Sequence, residues 1–172
     1  MRRLVLPLLL TVCFYCESVF VELTPPGSFK LDMILVPHFL LILFVVMGIL
    51  YLRNRTLIYA AVFGLLFDVY FTEIIGVYLF LFPIVVYLAS KMAKIFQVNI
   101  FTVFFIAVLS VGIVELVVYG MNIFVLQRNM DIQEYLNRRL WPTLILNQIF
   151  FLITYFPFKK FLFHCKKEEL RE

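Results

Sequence analysis

The sequence predicts an all-α membrane protein, a polytopic bundle of about six transmembrane helices that forms one integral membrane domain over residues 1–172. Of the 172 residues, 64% are hydrophobic and only 15% are charged, whereas a soluble domain is about half apolar and roughly a quarter charged. The 15 Lys and Arg stand mostly at the ends of apolar runs, where positive charge sets orientation in a lipid bilayer. The net charge of +4 therefore does not indicate nucleic-acid binding.

Polar residues between the apolar runs divide the chain into six expected spans. Pro and Gly at positions 25–27 end the first run, because these residues terminate helices. Arg53 and Arg55 end the second, and Lys91 and Lys94 close the fourth. The expected spans are 4–23, 34–52, 56–71, 76–90, 100–126 and 140–158, and a basic cytoplasmic tail over 159–172 follows them.

The distribution of Lys and Arg predicts that both termini are cytoplasmic. With that orientation, eleven of the 15 cations fall on the inner side, in agreement with the positive-inside rule. The polar segment 127–139 runs against this bias, since it places Arg128, Arg138 and Arg139 outside.

Five of the expected spans carry a polar residue at nearly the same depth. Counted at about 1.5 Å per residue from the cytoplasmic end of each span, all five lie about 18–22 Å deep. These residues are Glu17, His38, Asp68, Glu115 and Asn147. Ionisable groups inside a membrane are costly and are candidates for function.

Two interpretations of this polar layer stay open. It can tie the helices together by hydrogen bonds, or it can line a cavity or partner-binding notch open to the outside. With three carboxyls, one His and no Lys or Arg expected at that depth, not all of the groups can be charged, so some carboxyls are expected to carry a proton.

The third and fourth spans form a helical hairpin that is short for two crossings. The run 56–90 holds 35 residues, whereas two full spans need about 40. We therefore expect its turn to be recessed, a position tolerated only beside protein or water. Gly64, Asp68, Glu73 and Gly76 make this hairpin the candidate partner-contact surface.

Catalytic and metal-binding signatures are absent from the sequence. No H-E-x-x-H, G-x-S-x-G or P-loop pattern occurs. His38 and His164 are expected at opposite membrane faces, where they cannot share a metal. We expect no enzyme activity and no cofactor.

Several short motifs, in their order along the chain, resemble those of the rod shape-determining MreD family, in the form found in Gram-positive bacilli. They lie in the hairpin, in the first and second spans and at the entry to the last span. The motifs read Gly64-Leu65-Leu66-Phe67-Asp68 with Gly76-Val77-Tyr78, Glu17-Ser18-Val19-Phe20, Pro37-His38-Phe39-Leu40, and Arg139-Leu140-Trp141-Pro142-Thr143-Leu144-Ile145-Leu146-Asn147. The resemblance covers the whole chain.

The resemblance implies a non-enzymatic component of the cell-elongation machinery in the bacterial cytoplasmic membrane. Such proteins sit with MreC and act with MreB filaments and the peptidoglycan synthases of the elongation complex. The family is also similar in fold to the substrate-binding subunits of vitamin-type ECF transporters. It carries over no catalytic residues, and it gives Gly64, Asp68 and Gly76 a structural or partner-contact role.

Two other functions are weighed against this one. A small-molecule, vitamin-type binding subunit of a membrane transporter fits the polar layer and the fold resemblance, but the first span is bulky where such subunits carry small residues to meet their partner. A membrane enzyme acting on lipids would need a convergent acid, base and nucleophile, which the sequence does not offer.

Overall fold

The computed structural model describes residues 5–25, 33–72, 74–125 and 131–169. Seven α-helices occur within these ranges, and a single π-helical turn over Leu136–Leu140 joins the last two into one continuous helix. The helices are α1 (Val5–Leu23), α2 (Phe39–Leu50), α3 (Arg53–Phe71), α4 (Val77–Ile95), α5 (Ile100–Phe124), α6 (Ile132–Tyr135) and α7 (Trp141–Glu169).

The prediction of an all-α membrane bundle is confirmed. Within the described ranges, four helices are long and apolar enough to cross a membrane: α1, α4, α5 and the continuous helix that contains α6 and α7. Helix α3 is 19 residues long but carries two Arg and one Asp, and it is not among those four. Helix α2 has only 12 residues, which at about 1.5 Å per residue is roughly 18 Å of length.

Helix α2 lies at the centre of the bundle. It packs against α1, α3, α4, α5 and α7, and ten of its twelve residues are buried. At Gly48 the neighbouring helix α4 comes so close that the Ser90 hydroxyl donates to the Gly48 carbonyl at 2.9 Å. At the far end the Lys166 ammonium donates to the Leu50 carbonyl at 3.2 Å, where a cation also complements the helix dipole.

The second expected span, 34–52, is helical over only part of its length. Residues 33–38 are non-helical and α2 begins at Phe39. Pro37 explains the difference, because proline disfavours the helical conformation of the residue before it and has no backbone N–H to donate. The second expected span is therefore, in the structure, an irregular segment followed by a short helix.

The last helix extends beyond the span expected at 140–158 in both directions. It begins at Ile132 in what was expected to be a polar loop, so Arg138 and Arg139 are helical rather than loop residues. It also continues to Glu169, so residues 159–169 of the expected tail belong to the helix. Asp131 starts it, since its carboxylate accepts from the Gln133 N–H at 3.2 Å, as an N-cap residue does.

Candidate functional site

The irregular segment 33–38 is held along the first turns of α7 by side-chain hydrogen bonds. The Val36 N–H donates to the Thr143 hydroxyl at 3.2 Å, and the Asn147 amide donates to the Val36 carbonyl at 2.9 Å. Asn147 also accepts from the His38 N–H at 2.7 Å. The two polar side chains thus replace the backbone partners that a helix would supply.

A buried ionic centre surrounds Glu115 of α5. One carboxylate oxygen lies 2.8 Å from His38 Nε2, and the other accepts from the Tyr135 hydroxyl at 2.7 Å and from Arg139 Nε at 2.8 Å. Glu115 is fully buried, and Arg139 is about one-fifth exposed. Three donors converge on one carboxylate, so it is satisfied as an anion.

Arg139 corrects the expectation that no Lys or Arg lies at the level of the polar layer. Its guanidinium forms an ion pair with Glu115, so at least this carboxyl has a cationic partner inside the bundle. The expectation was wrong because residues 127–139 were taken as a loop outside the membrane.

Glu17 of α1 caps the N-terminus of α2. One carboxylate oxygen accepts from the Leu40 N–H at 3.0 Å, where the helix dipole also favours negative charge. The side chain is only 1% exposed. Its other oxygen, Oε1, and Nδ1 of His38 have no hydrogen-bond partner among the residues that the structure describes.

A cavity of about 350 Å³ opens beside these groups. Glu17, His38 and Arg139 contribute to its polar lining. The irregular segment and helices α1, α3, α4 and α5 contribute its apolar lining, which includes Val21, Phe67, Phe71, Tyr78, Val118 and Met121. The described structure therefore contains a polar network that joins helices and a cavity beside it, while a notch open to the outside stays a prediction.

Asp68 belongs to the hairpin and caps α4 rather than joining the ionic centre. Its carboxylate accepts from the backbone N–H groups of Gly76, Tyr78 and Leu79 at 2.8–2.9 Å. These are donors that the first turn of a helix leaves without partners. Gly76 has a φ of +112°, a conformation open to glycine, and it turns the chain into α4.

Gly64 lies one helical turn before Asp68, where α3 comes close to the backbone of α4. A Cβ atom at this position would overlap the Tyr78 carbonyl and lie 3.0 Å from the Leu79 Cα. Gly64, Asp68 and Gly76 therefore form one structural unit: the first lets the helices meet, the second caps α4 and the third makes the turn.

The sequence-predicted site residues divide into three groups. His38, Glu115 and Asn147 are joined by direct hydrogen bonds, and Glu17 lies beside them at the start of α2. Asp68 forms a second group with Gly64 and Gly76 in the hairpin. Glu73, the third, lies outside the described residues.

The sequence interpretation missed Arg139, Tyr135 and Thr143 as members of this polar network. Together with Asn147 they recur every fourth residue, at 135, 139, 143 and 147, a spacing that places them on one helix face. This periodicity is visible in the sequence, but only if segment 127–139 is considered as part of a helix.

Replacement of Asp68 by Asn is expected to destabilise the protein by about 1.5–3 kcal/mol, the value of a hydrogen bond to a charged group. Asn keeps one acceptor and turns an N–H₂ group toward backbone donors. The matched control is Asp131→Asn at the exposed start of α6, which is expected to be nearly neutral because Asn is an equally good N-cap. Thermal unfolding in detergent compares the two, and equal losses would contradict the role of Asp68.

Comparison with known proteins gives the family of the chain. The family described as rod shape-determining protein MreD matches residues 2–164. The rod shape-determining protein MreD of Bacillus subtilis (strain 168) is 34% identical over 168 residues, which cover 98% of each chain. No solved structure matches, so the similarity to transporter substrate-binding subunits stays a prediction. This chain belongs to the MreD family of rod shape-determining membrane proteins, which are not enzymes.

Proposed function

We propose that this chain is a membrane scaffold of the bacterial cell-elongation complex that maintains rod shape. It binds MreC through transmembrane helix contacts and, through MreC, acts with MreB and the elongation-specific peptidoglycan synthases. The observation that carries the proposal is the family match over residues 2–164. The distribution of Lys and Arg supports a location in the cytoplasmic membrane with both termini on the cytoplasmic side.

The outer face of α3 is the docking surface that we propose within the hairpin. Gly64 and Asp68 are buried and engaged inside the hairpin, so they support a partner contact only by shaping it. The opposite face of α3 is apolar and 41–63% exposed, and we call it the α3 stripe: Ile58, Val62, Leu65 and Val69. Their spacing of four, three and four residues forms one continuous helix face.

Replacement of Leu65 by Trp tests this surface. The larger side chain is expected to block helix packing on the α3 stripe, so MreC co-purification from membranes falls at least about tenfold, the equivalent of ~1.4 kcal/mol. Cells that depend on the variant are expected to lose rod shape.

The matched control is Leu109→Trp on α5, where the leucine is 49% exposed compared with 41% for Leu65. This variant is expected to keep both MreC binding and rod shape. If Leu65→Trp is present in the membrane at the level of Leu109→Trp and still retains MreC, the α3 stripe is not the docking surface. If the unmodified protein does not co-purify with MreC at all, the scaffolding role itself is contradicted.

A further inference from the structure

Two cations from different helices meet at one aromatic ring, at the end of the α3–α4 pair opposite the Gly76 turn. The guanidinium carbon of Arg53 lies 5.5 Å from the centroid of the Tyr87 ring, and the ammonium nitrogen of Lys91 lies 5.4 Å from it. The separation of the two charged groups therefore cannot exceed these two distances added together. That limit is comparable to the Debye length of about 8–10 Å at physiological salt, so both charges act on the same surroundings.

No carboxylate neutralises this pair within the described part of the chain. Arg53 and Lys91 contact the Tyr87 ring there and form no ion pair with an acidic side chain. Residues 33–67 and 74–114 contain four Lys or Arg and no Asp or Glu. Asp68 lies near the opposite end of α3, where its carboxylate binds the backbone of α4. A cation–π contact positions a charge without cancelling it, so the pair stays an uncompensated positive charge.

Complementation of the helix dipoles does not account for Arg53. A cation near the end of α4 is favoured by the negative end of its dipole, whereas Arg53 is the first residue of α3, where the dipole favours negative charge. The first turn of α3 contains no acidic residue. An external anion would offset both this placement and the repulsion between Arg53 and Lys91.

An exposed apolar face leads away from the two cations along α4. Phe80, Ile84 and Tyr87 are 42–66% exposed, and together with Lys91 they are spaced by four, three and four residues. This spacing forms one helix face, which we call the α4 stripe, and it extends roughly 16 Å from Lys91 to Phe80. An acidic protein segment outside the membrane would leave this apolar face uncovered, whereas a phospholipid carries acyl chains beside its charge.

We propose that Arg53 and the α4 stripe form a binding site for an anionic phospholipid, with its phosphate beside Arg53 and Lys91 and an acyl chain along Ile84 and Phe80. Basic positions at the membrane surface of a helical protein attract anionic headgroups. The site lies on α4 and not on the α3 stripe, so it does not depend on the scaffolding role. Only its assignment to the inner leaflet rests on the orientation proposed above.

The experiment measures the lipid beside α4 by quenching of a tryptophan with brominated lipid. It uses the full chain in phosphatidylcholine nanodiscs that contain a small fixed fraction of dibrominated phosphatidylglycerol or, in parallel, of dibrominated phosphatidylcholine with the same chains. Trp141, the single tryptophan of the chain, is replaced by Phe, and Ile84→Trp supplies the reporter. The relative binding constant at this reporter is expected to favour phosphatidylglycerol by at least about tenfold, because two cations attract its headgroup.

The matched control reporter is Leu109→Trp on α5 in the same Trp141→Phe protein. Leu109 is 49% exposed compared with 53% for Ile84. It lies about 14 Å from the start of α5, and Ile84 lies about 11 Å from Lys91 at the same end of the bundle. The two brominated lipids are expected to quench this control reporter equally.

Further variants of the Ile84→Trp protein test the location of the headgroup. Arg53→Gln combined with Lys91→Gln is expected to remove the preference for phosphatidylglycerol. The exchange Arg53→Lys with Lys91→Arg keeps both charges and is expected to retain it. Lys159→Gln, which changes a cation that lies 5.6 Å from the Tyr155 ring on α7, is expected to leave the preference unchanged.

Three results would overturn the proposal. Equal quenching of Ile84→Trp by the two lipids would leave the cation pair to another occupant, such as an acidic protein segment. An equal preference at Leu109→Trp would show that the charge of the whole protein attracts the lipid. An unchanged preference in the Arg53→Gln, Lys91→Gln protein would show that the headgroup binds elsewhere.

Discussion

Replacement of Glu115 by Leu is expected to destabilise the protein by about 3 kcal/mol, the lower end of the range for breaking a buried ion pair. The lower end applies because Arg139 is about one-fifth exposed, so water can partly replace the carboxylate that its guanidinium loses. The substitution also removes the side-chain partner of His38 Nε2, whereas the Tyr135 hydroxyl keeps the Glu115 backbone carbonyl as an acceptor at 2.7 Å. Thermal unfolding in detergent measures the loss of stability.

Two further variants decide whether the loss comes from a stranded charge. Glu134→Gln breaks the Arg138–Glu134 pair, whose side chains are 50% and 41% exposed, and is expected to cost at most about 1 kcal/mol. Adding Arg139→Leu to Glu115→Leu removes the unpaired guanidinium and is expected to restore part of the stability. A double variant less stable than Glu115→Leu alone would show that the two side chains do not act as a pair.

Replacement of Gly64 by Ala is expected to destabilise the protein by about 1–3 kcal/mol, as overpacking of a tight contact does. The added Cβ overlaps the Tyr78 carbonyl, and backbone cannot rotate away as a flexible side chain can. Separation of α3 from α4 would also draw Asp68 away from the N–H groups that it caps. Gly64→Ala is therefore expected to unfold at a lower temperature than the unmodified protein when thermal unfolding is measured in detergent.

Gly112→Ala on α5 is the matched control. A Cβ at Gly112 meets nothing within 4 Å among the described residues, and alanine is a better helix former than glycine by about 0.8–1 kcal/mol. Gly112→Ala is therefore expected to be neutral or slightly stabilising. If the two variants unfold at the same temperature, the close approach at Gly64 does not govern stability.

The turn of the hairpin was predictable from sequence because its signals are local, but the expected shortness was wrong, since α3 and α4 each have 19 residues. Gly64, Asp68 and Gly76 lie within thirteen positions of one another, and an acid, a glycine turn and an apolar run are readable together. The observed helix ends, Phe71 and Val77, lie within a residue of the expected spans on either side of the turn. The sequence did not show which groups the Asp68 carboxylate binds. In the structure it accepts hydrogen bonds from the backbone of α4.

The ionic centre was only half predictable because its partners are distant in the chain. His38 and Glu115 are 77 residues apart. Their similar predicted depth placed them at one level of the membrane but did not show that their side chains are in contact. Arg139 was missed because charged residues at 127–139 suggested a loop, although the π-helical turn and α7 continue the same helix. A four-residue periodicity of Tyr135, Arg139, Thr143 and Asn147 was the overlooked signal.

The length of α2 was mispredicted for a different reason. Hydrophobicity alone extends the apolar run from 34 to 52, and it does not distinguish a helix from an extended segment. Pro37 carried the missing information. Thr143 and Asn147 then accept hydrogen bonds from the backbone of this irregular segment, and both residues lie more than 100 positions further along the chain.

The short central helix has a consequence for biosynthesis. Its 12 residues are fewer than the roughly 20 that a spanning helix needs, so it is a poor candidate for independent insertion. One of its ends is capped by Glu17, which is synthesised before α2, and the other by Lys166, which is synthesised 116 residues after Leu50. We therefore expect α2 to reach its final packing only after Lys166 has been synthesised, and truncation before Lys166 is expected to destabilise this central helix.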